Sequence, residues 1–326
     1  MRCFAAMPAT STSADLFAAH RRGGRFLCPW GLTRPSPLDV LRWQSRRAPA
    51  STRRPRDVPR DENDGASLAA VAERATLHWV GHASAVLHEG ETVAVVDPHF
   101  GPRALLPRRY SPPGLPLGAL PPASIGLLTH NHYDHLDTWT LRRLPKTMIW
   151  LVPLGLRRKV SSHGFTEVRE LDWWQTAEAG GWRFTLLPAQ HWSRRLSQPE
   201  NTTLWGSWLV ETAVSRVFLA GDTGYFHGFA EYGRRFGPLD LAVLPVGAYE
   251  PRWFMAPIHM SPGEALDATH DLRARRMVPV HWGAFDLSDE AVDEPPRELE
   301  RQLARPQHAG LRDSVRVLPV GGRLVL

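Results

Sequence analysis

Cysteine is nearly absent from this 326-residue chain, which has only Cys3 and Cys28. Two thiols near one end cannot build a disulfide framework, and both lie far in sequence from the chain's histidine cluster, so no thiolate zinc site is implied and a reducing compartment fits. No apolar run reaches the roughly 18 residues of a membrane span. Asp15, His20, Arg21 and Arg22 interrupt the first 30 residues, so no signal-peptide core is expected there. These absences predict a cytoplasmic protein.

What is plentiful is Trp (13), Pro (29) and Arg, which far outnumbers Lys, and 43% hydrophobic content is ordinary for a globular core. The net charge of +6 is uneven, because residues 1–70 hold 12 Arg against 6 Asp and Glu, leaving 27 basic and 27 acidic residues beyond. A basic N-terminal arm is therefore predicted over 1–70, meeting anionic head groups, nucleic acid or only solvent. Residues 1–24 lack periodicity and read as mobile. Ser36-Pro37-Leu38-Asp39 reads as a helix start, giving a short helix near 36–44. Arg46 to Asp64 has linker composition, and a single catalytic domain is expected over 71–326.

From residue 71 short apolar runs alternate with turns and helical stretches, the signature of a layered α/β architecture. The expected strands are 77–80, 85–88, 93–97, 125–129, 148–152, 184–188, 204–211, 217–220, 241–245, 277–280 and 315–319. Helices are expected over 138–144, 154–162, 226–235, 262–271 and 290–304. The Pro-rich stretch 101–122 reads as a covering or functional loop. Several runs end in a polar group: Asp97, the cluster at 130–135, Gln190-His191, Asp222 and His281. Sheets collect functional groups at one edge in this way.

The densest chemistry is Thr129-His130-Asn131-His132-Tyr133-Asp134-His135-Leu136-Asp137, directly after Ile125-Gly126-Leu127-Leu128. Three imidazoles and a carboxylate within six residues are costly to crowd without a cation, whereas a lone strand-end His is usually a hydrogen-bonded surface group. Counting ligands, His130, His132, His191 and Asp222 would complete one zinc. Asp134, His135, His281 and the same Asp222 would complete a second. A shared carboxylate suits a pair of metals about 3.5–4 Å apart. His and carboxylate ligands suit manganese and iron as well as zinc.

Several segments resemble one family: Thr76 to Ser84, Asp97-Pro98, His130 to Asp137, Gln190-His191-Trp192-Ser193-Arg194-Arg195, Leu204-Trp205-Gly206-Ser207-Trp208, Gly221 to Tyr225, Pro257-Ile258-His259-Met260 and His281-Trp282-Gly283. Together they look like the metallo-β-lactamase superfamily, and more narrowly its N-acyl-phosphatidylethanolamine-hydrolysing phospholipase D branch, over roughly residues 25–290. The resemblance implies an α/β fold (α+β in some schemes), a four-layer αβ/βα sandwich of two similar halves, with two zinc ions at one sheet edge. Asp222, where antibiotic-hydrolysing members often carry Cys, argues against that activity. Phe26-Leu27-Cys28-Pro29-Trp30 matches the family's entry segment in part, with Cys28 where Asn is expected.

The expected reaction is attack of a metal-bridging hydroxide on the phosphorus of a phosphodiester, within an N-acylated phospholipid or related lipid. Asp134 binds metal and orients the hydroxide. His259 is the candidate acid or substrate clamp, with support of a metal ligand as its plainer role. Arg194 and Arg195 are candidates for the phosphate, and Trp192, Trp205 and Trp208 for an acyl groove, with core packing as the alternative. Phe26, Leu27 and Trp30 are candidate peripheral membrane contacts in the arm. A soluble lactone or sugar phosphate is the other substrate reading; a nuclease or a non-catalytic binding protein fits less well, since the charge beyond the arm is balanced and all seven ligands are present.

Overall fold

The computed structural model describes residues 12–33, 35–47 and 57–326. Of the mobile start expected over 1–24, residues 1–11 lie outside the described residues, as do Cys3 and 48–56 of the linker expected over 46–64; residues 12–24 instead carry Leu16 into the core, because the second half offers it apolar partners. In chain order a hairpin of β1 (Arg21–Arg22) and β2 (Arg25–Phe26) precedes α1 (Pro37–Arg46). Helix α1 begins where its cap predicts: the Ser36 hydroxyl accepts from Asp39 N–H, and the Asp39 carboxylate accepts from Ser36 N–H.

The first half comprises β3 (Ala72–Gly81), β4 (Ser84–Gly90), β5 (Thr92–Val96), β6 (Ile125–Leu127), α2 (Thr138–Leu141), β7 (Ile149–Pro153), α3 (Arg157–Ser161) and β8 (Val168–Leu171). The second comprises β9 (Thr176–Ala179), β10 (Trp182–Leu187), β11 (Ser207–Glu211), β12 (Arg216–Leu219), α4 (Gly228–Phe236), β13 (Leu241–Pro245), α5 (Arg252–Met255), α6 (Pro262–Asp271), β14 (Met277–Val280) and α7 (Glu294–Leu303). Finally β15 (Arg323–Val325) returns to the first sheet beside β3. The sheet orders are β15-β3-β4-β5-β6-β7-β8 and β14-β13-β12-β11-β10-β9. Each half runs an antiparallel meander into parallel strands, β5-β6-β7-β8 in one and β12-β13-β14 in the other.

Alternation along the first sheet sorts its side chains into two layers, as the strand period of two requires. Leu77, Trp79, Ala85, Leu87, Ala94, Val96 and Leu151 join one core with Phe184, Leu186, Trp208 and Leu219 of the second sheet. Val86, Val93, Val95, Trp150 and Val152 point the other way, onto Leu141 and Val160 of α2 and α3. Phe229, Tyr232, Leu266 and Leu299 bring α4, α6 and α7 onto the second sheet. The result is the expected four-layer αβ/βα sandwich. The run at 315–319 is not a strand: Val315 makes only an isolated bridge to Met277, and 323–325 takes the sheet edge.

The arm is packed against the second half. Leu16, Phe26, Cys28 and Trp30 are buried in the shared core, and Trp30 stacks between Phe226 and Trp173 at centroid distances of 5.1 and 5.7 Å. Phe26 and Trp30 are therefore not available to a membrane, contrary to the expectation, because the second half offers them a closer apolar partner. Helix α1 is tied across the fold: Trp43 stacks on Phe254 at 5.0 Å and donates to Asp289 Oδ1 at 2.9 Å.

Candidate metal centre

The apolar run of β6 ends at Leu127, and the chain turns at the sheet edge into the loop 129–137. Buried Asp97, from the end of β5, fixes this turn by accepting from Thr129 N–H at 2.8 Å and Thr129 Oγ1 at 2.6 Å. Thr129 Oγ1 then lies 2.9 Å from His130 Nδ1, and His135 Nδ1 lies 2.7 Å from Asp97 Oδ2. His191 Nδ1 lies 3.0 Å from the Ile258 carbonyl. Each outer contact holds a proton on Nδ1 and turns Nε2 inward.

The inward atoms form two groups. His130 Nε2 and His191 Nε2 lie 2.9 and 3.1 Å from His132 Nδ1, and both are 3.8 Å from Asp222 Oδ2. On the other side His135 Nε2 and His281 Nε2 lie 3.2 and 3.1 Å from Asp222 Oδ1, and 3.5 and 3.4 Å from Asp134 Oδ2. Asp222 thus turns one oxygen to each group, and the seven predicted ligands all meet at this edge.

Burial pushes His130 well below its ordinary value, and takes His132 down to about 4 and His191 to about 3. Burial also opposes charge on His135 and His281, yet Asp222 and Asp134 win: His135 is raised well above its ordinary value and His281 to about 9. The same imidazoles, His135 foremost, hold Asp134 and Asp222 well below the usual carboxylate range against the pull of burial. His135 Nε2, His281 Nε2 and Asp222 Oδ1 are buried without a hydrogen-bond partner. An unsatisfied buried polar atom costs about 1–3 kcal/mol. Three of them converging on one point fit a divalent cation, and His130, His132, His191 and Asp222 form a second donor set of metal-binding spacing.

A cavity of about 400 Å³ opens above the centre, lined by Asp134, Asp222, His132 and His259 at its floor and by Leu105, Leu106, Tyr133, Trp192, Leu196, Phe254, Met255 and Ile258 on its walls. Leu105 and Leu106 come from the Pro-rich 101–122 loop. His259 Nδ1 has no hydrogen-bond partner and lies 3.9 Å from Asp222 Oδ2. Arg194 is exposed at the rim. Arg195 is buried over the Tyr133 ring at 3.8 Å and donates to the Asn131 and Leu136 carbonyls at 2.8 and 2.9 Å, clasping the ligand loop itself. Trp205 and Trp208 are core residues, their indole N–H groups donating to the Ala189 and Leu128 carbonyls. Of the three tryptophans considered for a groove, only Trp192 reaches the cavity.

Two residues next to the centre had no role in the sequence reading, His82 and Asp97. Both stood within the resembling segments, and the polar end of the strand at Asp97 was the available signal. Their contacts cross 52 and 38 residues of chain respectively, which no local pattern encodes.

Against known proteins, the model of the Beta-lactamase superfamily domain matches residues 92–282. The chain is 35% identical over 243 residues to N-acyl-phosphatidylethanolamine-hydrolyzing phospholipase D 1 of Caenorhabditis elegans, covering 69% of this chain and 68% of that protein. It is also 35% identical over 239 residues to the mitochondrial N-acyl-phosphatidylethanolamine-hydrolyzing phospholipase D of Saccharomyces cerevisiae, covering 68% of this chain and 50% of the yeast protein. Among solved structures, a metallo hydrolase from the archaeon Ignicoccus hospitalis aligns with a TM-score of 0.55 at 22% identity, covering 77% of this chain and 98% of that one. At that identity the likeness concerns the fold.

Proposed function

The chain belongs to the beta-lactamase superfamily, in the branch of the N-acyl-phosphatidylethanolamine-hydrolysing phospholipases D, and as a metal-dependent hydrolase of that branch we propose that it cleaves a phosphodiester of an N-acylated phospholipid or related lipid. The observation that carries this reading is the juxtaposition of an apolar cavity with imidazoles that face both carboxylate oxygens of Asp222. We assign two zinc ions, one to His130, His132, His191 and Asp222 and one to Asp134, His135, His281 and Asp222. Bound there, the ions would supply Lewis acidity toward a phosphoryl oxygen and water of lowered pKa.

The chain's own groups have distinct tasks. Leu105, Leu106, Trp192, Leu196 and Phe254 take up acyl surface and exclude water from the cavity. Arg194 reaches the phosphate from the rim, where a planar guanidinium can bind two oxygens at once. Burial first of all holds His259 down to about 3, so at neutral pH it offers an uncharged ring to the substrate, which suits a clamp better than an acid. Arg195 keeps the ligand loop in place.

Among the described residues no helix is long and apolar enough to cross a membrane. We place the protein in the cytoplasm, with α1 of the arm touching the inner face of the membrane. The test is metal analysis of the purified protein with a panel of N-acylated phosphatidylethanolamines, other phosphodiesters and lactones. Release of phosphatidic acid and N-acylethanolamine, lost on chelation, is the expected result. Lactone turnover with no diester cleavage would remove the reading.

A further inference from the structure

We infer that His82 is a positioning residue for the second metal group, fixing the Asp134 carboxylate by donating a hydrogen bond to it while its backbone anchors His281. The inference rests on the dinuclear reading above. His82 sits in the turn between β3 and β4, where no ligand was assigned, and it is 1% exposed. Its Nε2 lies 3.0 Å from Asp134 Oδ2, the oxygen that His135 and His281 face at 3.5 and 3.4 Å. Its Nδ1 is buried without a partner, so the proton belongs on Nε2 and points at the carboxylate.

The main chain of the same residue holds the other ligand. The His82 carbonyl accepts from the backbone N–H of His281 at 2.9 Å and from Trp79 Nε1 at 2.9 Å. One turn residue of the first half therefore fixes both Asp134, from the cluster loop, and His281, from the second half. The backbone at His82 is left-handed, with φ of 53°, a conformation that costs a non-glycine residue energy and is retained where the surroundings enforce it.

His82, Asp134, His135 and His281 bring one donor atom each within 4.8 Å of one another. Within that set His135 and His281 each approach both Asp134 Oδ2 and Asp222 Oδ1, whereas His82 approaches Asp134 and makes no contact with Asp222 within 4.0 Å, which favours a positioning role over ligation. Its ring lies against His281 at 4.1 Å and Phe285 at 5.1 Å. Outer partners of this kind typically change metal affinity by about 10–100-fold.

The test is zinc stoichiometry and affinity, by elemental analysis and chelator competition, in the full chain and in His82→Phe and His82→Gln. His82→Phe keeps a ring between His281 and Phe285 and the backbone bonds, but removes the donor. His82→Gln restores an N–H near the Nε2 position. The expected result is two ions in the parent, a second ion bound about 10–100-fold more weakly in His82→Phe, an unchanged first ion, and recovery in His82→Gln. Parent-like zinc affinity in His82→Phe would overturn the inference. So would a His82→Gln protein that fails to hold two ions, which also settles the matter if His82→Phe does not fold. A parent chain that binds one ion only would overturn the dinuclear reading itself, and this inference with it.

Discussion

Gly221 shows how tightly single residues constrain the centre. It precedes Asp222 with φ of +62°, and a Cβ there would lie 2.7 Å from the Thr129 side chain, the group that links Asp97 to His130. Gly221→Ala therefore strains the backbone and pushes the Asp222 turn away from the ligand loop together. Chemical denaturation of the metal-free protein should show a loss on the order of 1–3 kcal/mol, and zinc content should fall in parallel. Parent-like stability and metal content would show that the turn has room the geometry denies it. At this scale the sequence was informative where ligands are dense: His130, His132, Asp134 and His135 announce a metal by crowding alone. His191, Asp222 and His281 are isolated in sequence and gained weight only from that cluster. The sorting of Arg194 to the rim and Arg195 to the loop was not legible, because adjacent residues on a turn diverge according to which carbonyls lie within reach.

Elements were legible to the degree that their burial is patterned. Helices α1 and α6 both open with Ser-Pro and an acid at the third helical position, and both are closed by reciprocal caps. Strands β8, β9 and β15 escaped the sequence reading, since edge strands such as Thr176–Ala179 and Arg323–Val325 leave most residues half-exposed or exposed and lose the apolar alternation. Helix α1 carries a functional expectation of its own. Leu38 and Leu41 are 76% and 62% exposed, one helical turn apart, and Arg42 on the same face lies 5.1 Å above the ring of Trp253, itself 48% exposed. Trp253 adjoins Phe254 of the cavity wall, so this apolar, Arg-edged face is continuous with the mouth of the site. The double substitution Leu38→Asp, Leu41→Asp should reduce co-sedimentation with anionic phosphatidylglycerol vesicles several-fold and leave turnover of a small chromogenic diester unchanged. Undiminished vesicle binding would remove α1 as the contact.

For the whole molecule, the two halves are joined by the same charges that receive the metal. Asp222 of the second half pairs with His135 of the first, and Asp134 of the first pairs with His281 of the second. Without metal these imidazoles keep protons, since the carboxylates hold His281 up to about 9 and His135 well above its ordinary value. A raised imidazole contributes stability that is fully present below the unfolded value near 6.5 and fades as pH rises through the folded one. The metal-free protein should therefore lose stability as pH approaches and passes about 9. Metal binding has the opposite slope, because each ion entering the second group must displace these protons. Its apparent affinity should rise roughly tenfold per pH unit for each proton displaced. At a fixed free metal concentration of about 100 times the dissociation constant, binding adds about 2.7 kcal/mol. The gap in thermal midpoint between metal-loaded and chelator-treated protein should accordingly widen from pH 6 to pH 9. A constant gap across that range would mean that the protons on His135 and His281 do not compete with the metal, and that the halves are joined by packing alone.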